Sequence, residues 1–289
     1  MLYVFLCICC SVMVSVLFKL AKRYQIDVLQ AITWNFSVSA ILLIIINRPH
    51  ITLQTFSEIF IYPYIALGTL LPILFLMIAA SIRINGIVLT TIVERLALFI
   101  PLVISYIIFN GQLNNVELSA IVLCVFAILF IISWKRTTKK SAGGWMYLLA
   151  TFVCLGVSLI LFRQVAQNAI PNTTSLLIVF TIAFIVSLMF LVVHIARKKT
   201  RFSWPHILIG WVMGFAFFGY ITFNLQIHQA MNTQPRAAFS ALNVGIITLA
   251  MMVGLFIFNE RLTYFNKVGI FLALVAIIVI ANTDIINAF

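Results

Sequence analysis

Apolar runs of about twenty residues, separated by short gaps that hold almost every charge, repeat along the whole chain. Residues 2–18 carry no charge and end at Lys19, Lys22 and Arg23. The runs that follow cover 28–46, 58–79, 87–109, 116–134, 143–162, 174–195, 206–224, 237–258 and 265–283. A membrane hydrocarbon core ~30 Å thick takes ~20 helical residues, so each run predicts one spanning helix, ten in all. Pro49, Gly86, Gly143-Gly144, Pro171, Pro205 and Pro235 fall at or near the gaps, where helix breakers cost least. Alternation with a period of two is absent, which disfavours a membrane β-barrel. The first run lacks a basic leading segment and its charges come after it, so it predicts a span rather than a secretory signal. The fold class expected is an all-α polytopic membrane protein.

Composition supports this pattern. Of 289 residues, 64% are hydrophobic and only 8% charged, with mean hydropathy +1.19. Soluble proteins carry about 25% charged residues, so a water-soluble enzyme, a disordered chain and a disulfide scaffold are all excluded. The formal net charge is +12, but the basic residues sit between apolar runs and not on a folded polar face. That is membrane anchoring, not nucleic-acid binding. With the N-terminus outside, the inner loops hold fourteen basic residues: Lys19, Lys22, Arg23, Arg83, Lys135, Arg136, Lys139, Lys140, Arg197, Lys198, Lys199, Arg201, Arg261 and Lys267. The other side holds three: Arg48, Arg163 and Arg236. The positive-inside rule therefore places both termini outside, in a multi-pass protein of the cell (inner) membrane. The basic loops can also meet anionic lipid headgroups.

The chain also echoes itself. Phe109-Asn110-Gly111-Gln112-Leu113 returns as Phe258-Asn259-Glu260-Arg261-Leu262, 149 residues on, and Val16-Leu17-Phe18-Lys19 returns as Ile160-Leu161-Phe162-Arg163, 144 residues on. Spans one to five and six to ten thus read as two copies, residues 1–137 and 138–289. Five is odd, so the second copy enters the membrane inverted. Inverted repeats are a transporter architecture, with the solute site near the midplane and alternating access by rocking.

This layout resembles the drug/metabolite transporter superfamily, in particular its EamA-like ten-helix branch. The likeness is clearest from Phe239-Ser240-Ala241-Leu242-Asn243 through Asn259-Glu260-Arg261-Leu262 to Gly269. Members typically carry Gly-Glu-x-Leu there; this chain has Asn259 in place of the Gly and keeps Glu260 and Leu262. In the first copy Gly111 stands where the acid is expected. The resemblance implies efflux of a small metabolite, with the fifth and tenth spans peripheral and the others enclosing a cavity. Many relatives keep both termini in the cytoplasm, whereas the charges here imply the reverse. Four-helix relatives use an acid in the first span; here that span offers Ser11 and Ser15 but no carboxylate.

Candidate chemistry concentrates on Glu94, the one acid well inside a span, and its neighbour Arg95. An ionisable residue at membrane depth is costly and marks a functional site by default. Glu94 suits an ammonium and Arg95 a carboxylate, so together they suit a zwitterion; Glu94 also suits a coupling proton. The competing reading is a structural ion pair, with Lys19 or Arg163 as partner. Side chains adjacent on a helix point ~100° apart, so the two are not expected simply to neutralise each other. Asn243 falls on Glu94 in the repeat. Tyr220 and Asn224 share a helical face, and Trp34 offers a stacking surface. Each is a candidate solute contact and, equally, interhelical packing. Gln226 and His228 lie near a helix end, within reach of water. Lys19 and Arg163 are expected to snorkel, Glu260 to bond locally at a helix end, and Pro72 and Pro101 to kink their spans.

Cys7, Cys9, Cys10, Cys124 and Cys154 all lie in apolar runs, where cysteine packs as a small hydrophobe. His50, His194, His206 and His228 show no metal-ligand spacing. There is no phosphate loop, HExxH, GxSxG or carboxylate pair, so neither an enzyme, a cofactor nor a metal is expected. The reading is a secondary transporter of a small polar or zwitterionic solute, working as a monomer or homodimer. The alternatives are a scaffold or partner subunit with a filled bundle, and a passive channel, which needs a continuous polar pore.

Overall fold

The computed structural model describes residues 2–48, 61–109, 115–132, 143–167, 170–197, 202–230 and 235–281. All the regular structure among them is helical: α1 (Leu2–Arg23), α2 (Val28–Asn47), α3 (Ile61–Asn85), α4 (Ile87–Leu96), α5 (Phe99–Phe109), α6 (Asn115–Ile132), α7 (Gly144–Ala166), α8 (Asn172–Ala196), α9 (Trp204–Ala230), α10 (Pro235–Met252) with a π-helical turn (Val253–Ile257), and α11 (Tyr264–Ala281). Among the described residues nine segments are long and apolar enough to cross a membrane, α4 and α5 counting as one and α10 with its π turn as another. The 18-residue α11 follows them. The chain is a multi-pass membrane protein. The basic loops at 135–140 and 198–201, the side chain of Arg236, and the Asn110–Leu113 part of the repeat lie outside what the structure describes.

The expected spans are found, with differences that have local causes. α1 runs through its basic cluster to Arg23 and stops where Gln25 takes a left-handed conformation (φ 52°). Asp27 then starts α2, its Oδ1 accepting from Leu29 N at 2.9 Å, the usual service of an N-cap acid. The third span runs on to Asn85 and the eighth to Ala230. Pro72 leaves α3 continuous, whereas the fourth span breaks at Ala97–Leu98. Proline has no N–H and its ring crowds the carbonyl four residues back; for Pro101 that carbonyl is Ala97. The chain tightens there instead, with Ile100 N donating to Ala97 O at 3.1 Å.

α1, α2, α3, α7, α8 and α9 form the main body: α3 packs on α7 and α8, while α9 packs on α1 and α2. Small residues set these approaches. A Cβ on Gly68 of α3 would stand 2.6 Å from Ile182 and 3.2 Å from Val179 O on α8. One on Gly214 of α9 would stand 2.7 Å from Val38 and 2.9 Å from Asn35 O on α2. Gly210 and Gly214 make a Gly-xxx-Gly face, the pattern that lets membrane helices touch backbone to backbone. At the centre, Phe36, Phe75, Phe180 and Phe217 pack edge to face or tilted, with centroids 5.0–6.3 Å apart. A second buried cluster joins α4 and α10 to the flanking pair α6 and α11, which approach closely where a Cβ on Gly269 would stand 2.8 Å from Ile131 and 3.1 Å from Ala127 O. On the outer face of α6, Leu118, Val122, Val125, Phe126 and Leu129 are exposed, an apolar surface suited to a membrane interior.

Candidate functional site

Helix α4 is a ten-residue cylinder with a break at each end: Gly86 before it and the Pro101-induced break after it. Its last turn carries Glu94 and Arg95. A helix C-terminus presents negative charge, which disfavours a carboxylate there and favours a guanidinium. The order Glu-Arg thus places a destabilised acid beside its own compensating cation. Both side chains are nearly buried, 10% and 12% exposed. They approach to 3.8 Å, Arg95 Nη2 to Glu94 Oε2. Charge-assisted bonds run about 2.7–2.9 Å, so this contact leaves the charges only loosely paired. Glu94 Oε1 and Arg95 Nε are buried without any hydrogen-bond partner. Burying polar atoms unpaired in a membrane interior costs ~1–3 kcal/mol each, which a purely structural pair would avoid.

Both face open space. A cavity of about 200 Å³ is bounded by Glu94, Arg95, Ser11, Ser15, Ser158 and Tyr220, with Phe18, Phe75, Phe162 and Phe217 completing its wall. A second, of about 440 Å³, shares Arg95, Phe162 and Tyr220 with the first and adds Asn224 and Asn243. Arg95 Nη1 donates to Asn243 Oδ1 at 3.4 Å, and the guanidinium also faces the Tyr220 hydroxyl. α9 is held against α1 nearby, where Cys7 Sγ meets Tyr220 O at 3.4 Å. The six sequence candidates therefore divide. Glu94, Arg95, Tyr220, Asn224 and Asn243 converge on one pair of joined cavities. Trp34 lines neither; it packs where Gly210 brings α9 onto α2. A third, wholly apolar groove of about 340 Å³ runs between α5, α6 and α7 and has no group that could fix a ligand. Among the described residues no three His, Cys, Asp or Glu side chains stand together as metal ligands.

Sequence reasoning overlooked two features. Ser158 joins Ser11 and Ser15 as a hydroxyl on the cavity wall; only the packing of α7 on α3 brings it there. Glu260, expected to bond locally, instead crosses the chain: it accepts from Lys19 Nζ and Ile87 N at 2.8 Å each and from Val88 N at 3.2 Å. Lys19 is thus a paired residue and not a snorkelling one, and neither it nor Arg163 is the partner of Glu94. Arg163, whose corner carries Gly111 in the sequence, is exposed. The signal that could have found the contact is scarcity. With six acids in 289 residues, one placed beside a helix start and a half-buried lysine has few other uses.

No family model matches the chain. An uncharacterized protein of Haemophilus influenzae is 30% identical over 289 aligned positions, which span 97% of this chain and 98% of that protein. At that identity and coverage, the chain belongs to the same family as the Haemophilus influenzae protein.

Proposed function

We propose that the protein is a secondary transporter of the drug/metabolite, EamA-like type, moving a small polar or zwitterionic metabolite by alternating access. The observation that carries this reading is the burial of Glu94 Oε1 and Arg95 Nε without partners, in two residues that line one cavity. A cavity with an acid, a base, a phenol, amides and hydroxyls set in phenylalanine walls suits a solute with opposite charges and an apolar body. Ligand sites of this kind are mostly apolar with a few placed polar groups. Glu94 binds the ammonium or carries a coupling proton; Arg95, Asn243, Tyr220 and Asn224 hold the carboxylate. Trp34 contributes to α2–α9 packing. A scaffold would fill this space, and a channel would line a continuous path with polar groups.

Two inverted five-helix repeats, 1–137 and 138–289, are part of the same proposal, and the packing supports them. Val38 and Ile182 are 144 positions apart, as are Asn35 and Val179; Gly214 meets the first of each pair and Gly68 the second. Phe36 and Phe180 share that offset and face each other at 6.2 Å. The α3–α7 and α9–α1 contacts exchange under the same rule, and α6–α11 maps onto itself. The basic-residue count places both termini outside the inner membrane, and efflux follows from the resemblance.

The experiment is a thermal-stability screen of the purified protein against amino acids, amines, nucleosides and organic acids, with Glu94→Gln in parallel. A solute at 100 times its Kd stabilises the native state by about 2.7 kcal/mol. A hit lost in Glu94→Gln, followed by its counterflow in proteoliposomes, supports the proposal. A blank screen with a less stable variant makes Glu94 architecture and sinks it.

A further inference from the structure

Glu260 reaches across 173 residues to the start of α4 and across 241 to Lys19 on α1. Four details show that the place is built for it. Gly86, at φ 97°, has no Cβ, and one there would lie 2.5 Å from Glu260 Oε2. Gly254 likewise leaves room, since a Cβ there would stand 3.1 Å from the same oxygen. The backbone of Glu260 is aimed by the π turn and by Asn259 at φ 48°, and its N–H donates to Gly254 O at 2.9 Å. Lys22 Nζ ties the same end of α1 to Arg83 O at 2.9 Å. The result is a cross-tie joining α1, the α3–α4 corner and the end of the ninth span.

This tie stands on the far side of an aromatic layer from the cavity. Along α1 the cavity-lining Ser11, Ser15 and Phe18 lead directly to Lys19. The Phe18 and Phe75 rings meet edge to face at 6.0 Å between them. The larger cavity extends the other way, toward Leu176, Leu225 and Ile227. We infer that Lys19 and Glu260 form a gate, closed in this structure, which shuts the cavity at the end bearing Lys22, Arg23, Arg83 and Arg261 by clamping the first turn of α4. The inference rests on reading the Glu94–Arg95 cavity as a solute site and names how that site is opened. α4 is short and bounded by a break at both ends, so it moves as one lever: the gate holds its first turn and the solute charges sit on its last. The pair is suited to opening. Lys19 is 21% exposed, and partly hydrated ion pairs exchange with water at small net cost. The α6–α11 seam, closely packed at Gly269, has no such alternative.

The test is exposure of Val88, 1% accessible, in a background with Cys7, Cys9, Cys10, Cys124 and Cys154 replaced by Ala. Val88→Cys reacts slowly with a water-soluble maleimide while the gate is shut. Lys19→Met removes the ion pair but leaves the cap on α4; Glu260→Gln removes the charge but keeps an acceptor oxygen. Each is expected to raise the labelling rate about fivefold or more, the scale of a typical coupling between sites, while Leu225→Cys at the other end is unchanged. Equal labelling of Val88→Cys in parent and both variants overturns the gate. So does failure of Lys19→Met to fold, which would make the pair architecture. The readout needs no solute, so the gate can fail while the stability screen succeeds, and the reverse outcome sinks the solute site alone.

Discussion

Replacing Gly86 with Ala should be strongly damaging for a single added methyl, and its cost divides into two parts. Gly86 sits at φ 97°, ψ 169°, a region essentially reserved for glycine, where another residue pays about 1–3 kcal/mol. The added Cβ would also stand 2.5–2.7 Å from three atoms of the Glu260 carboxylate. Expelling that group breaks its bonds from Ile87 N and Val88 N, and bonds to a charged group contribute about 1.5–3 kcal/mol. Together these reach about 2.5–6 kcal/mol. At about 2 °C per kcal/mol for a chain of this size, the loss is roughly 5–12 °C in Tm, read by tryptophan-fluorescence melting in detergent. A double-mutant cycle separates the parts: with Glu260→Ala already present, Gly86→Ala should cost only the backbone strain, about 1–3 kcal/mol. A Gly86→Ala protein melting within about 1 °C of wild type would refute both the corner geometry and the clamp.

Other expected outcomes follow from the same packing. Arg95→Met leaves Glu94 buried and uncompensated, costing about 3–5 kcal/mol; Glu94→Gln/Arg95→Met should recover most of the lost Tm while binding no zwitterion. Phe36→Ala, at the centre of four rings and fully buried, should lose about 3–5 kcal/mol in the same melt. Gly214→Val would force α9 from α2, where Val38 stands 2.7 Å away. Overpacking of this kind costs about 1–3 kcal/mol, and the same substitution at Gly143, which meets nothing within 4 Å, should leave Tm unchanged.

The spans were legible because hydrocarbon thickness imposes one length on every element, and charge cannot hide inside it. Glu94 was legible for the same reason, as a lone acid at depth. What the linear pattern lacked was rotation about each helix axis. Tyr220 and Asn224 share a face that does turn toward Arg95, yet Trp34, equally conspicuous in an apolar run, turns into the α2–α9 seam. Hydrophobicity is nearly uniform around these helices, so the moment that orients a soluble helix carries little information here. Orientation is set by small residues: Gly68, Gly210 and Gly214 fix which faces touch, and they read as ordinary apolar positions until the partner helix is known. The break in the fourth span was visible as Pro101, but its consequence lies four residues earlier, at Ala97.

Long-range polar contacts were the least legible, and Glu260 shows why. Its partners are two backbone N–H groups and one lysine, none marked by a motif. The proposed repeat sharpens what this contact means. An inverted pair of identical halves would build the same clamp at both ends of the bundle, with Lys19 and Arg163 as the matching cations. This sequence keeps the acid in one corner, Glu260, and has Gly111 in the other. If the proposed transporter reading holds, an acid kept in one corner of the sequence and not in the other would make the two access states unequal in energy. The state closed at the Lys19–Glu260 end would then be favoured when the proposed site is empty. A solute would have to repay that difference through Glu94 and Arg95, on the other end of the same ten-residue helix.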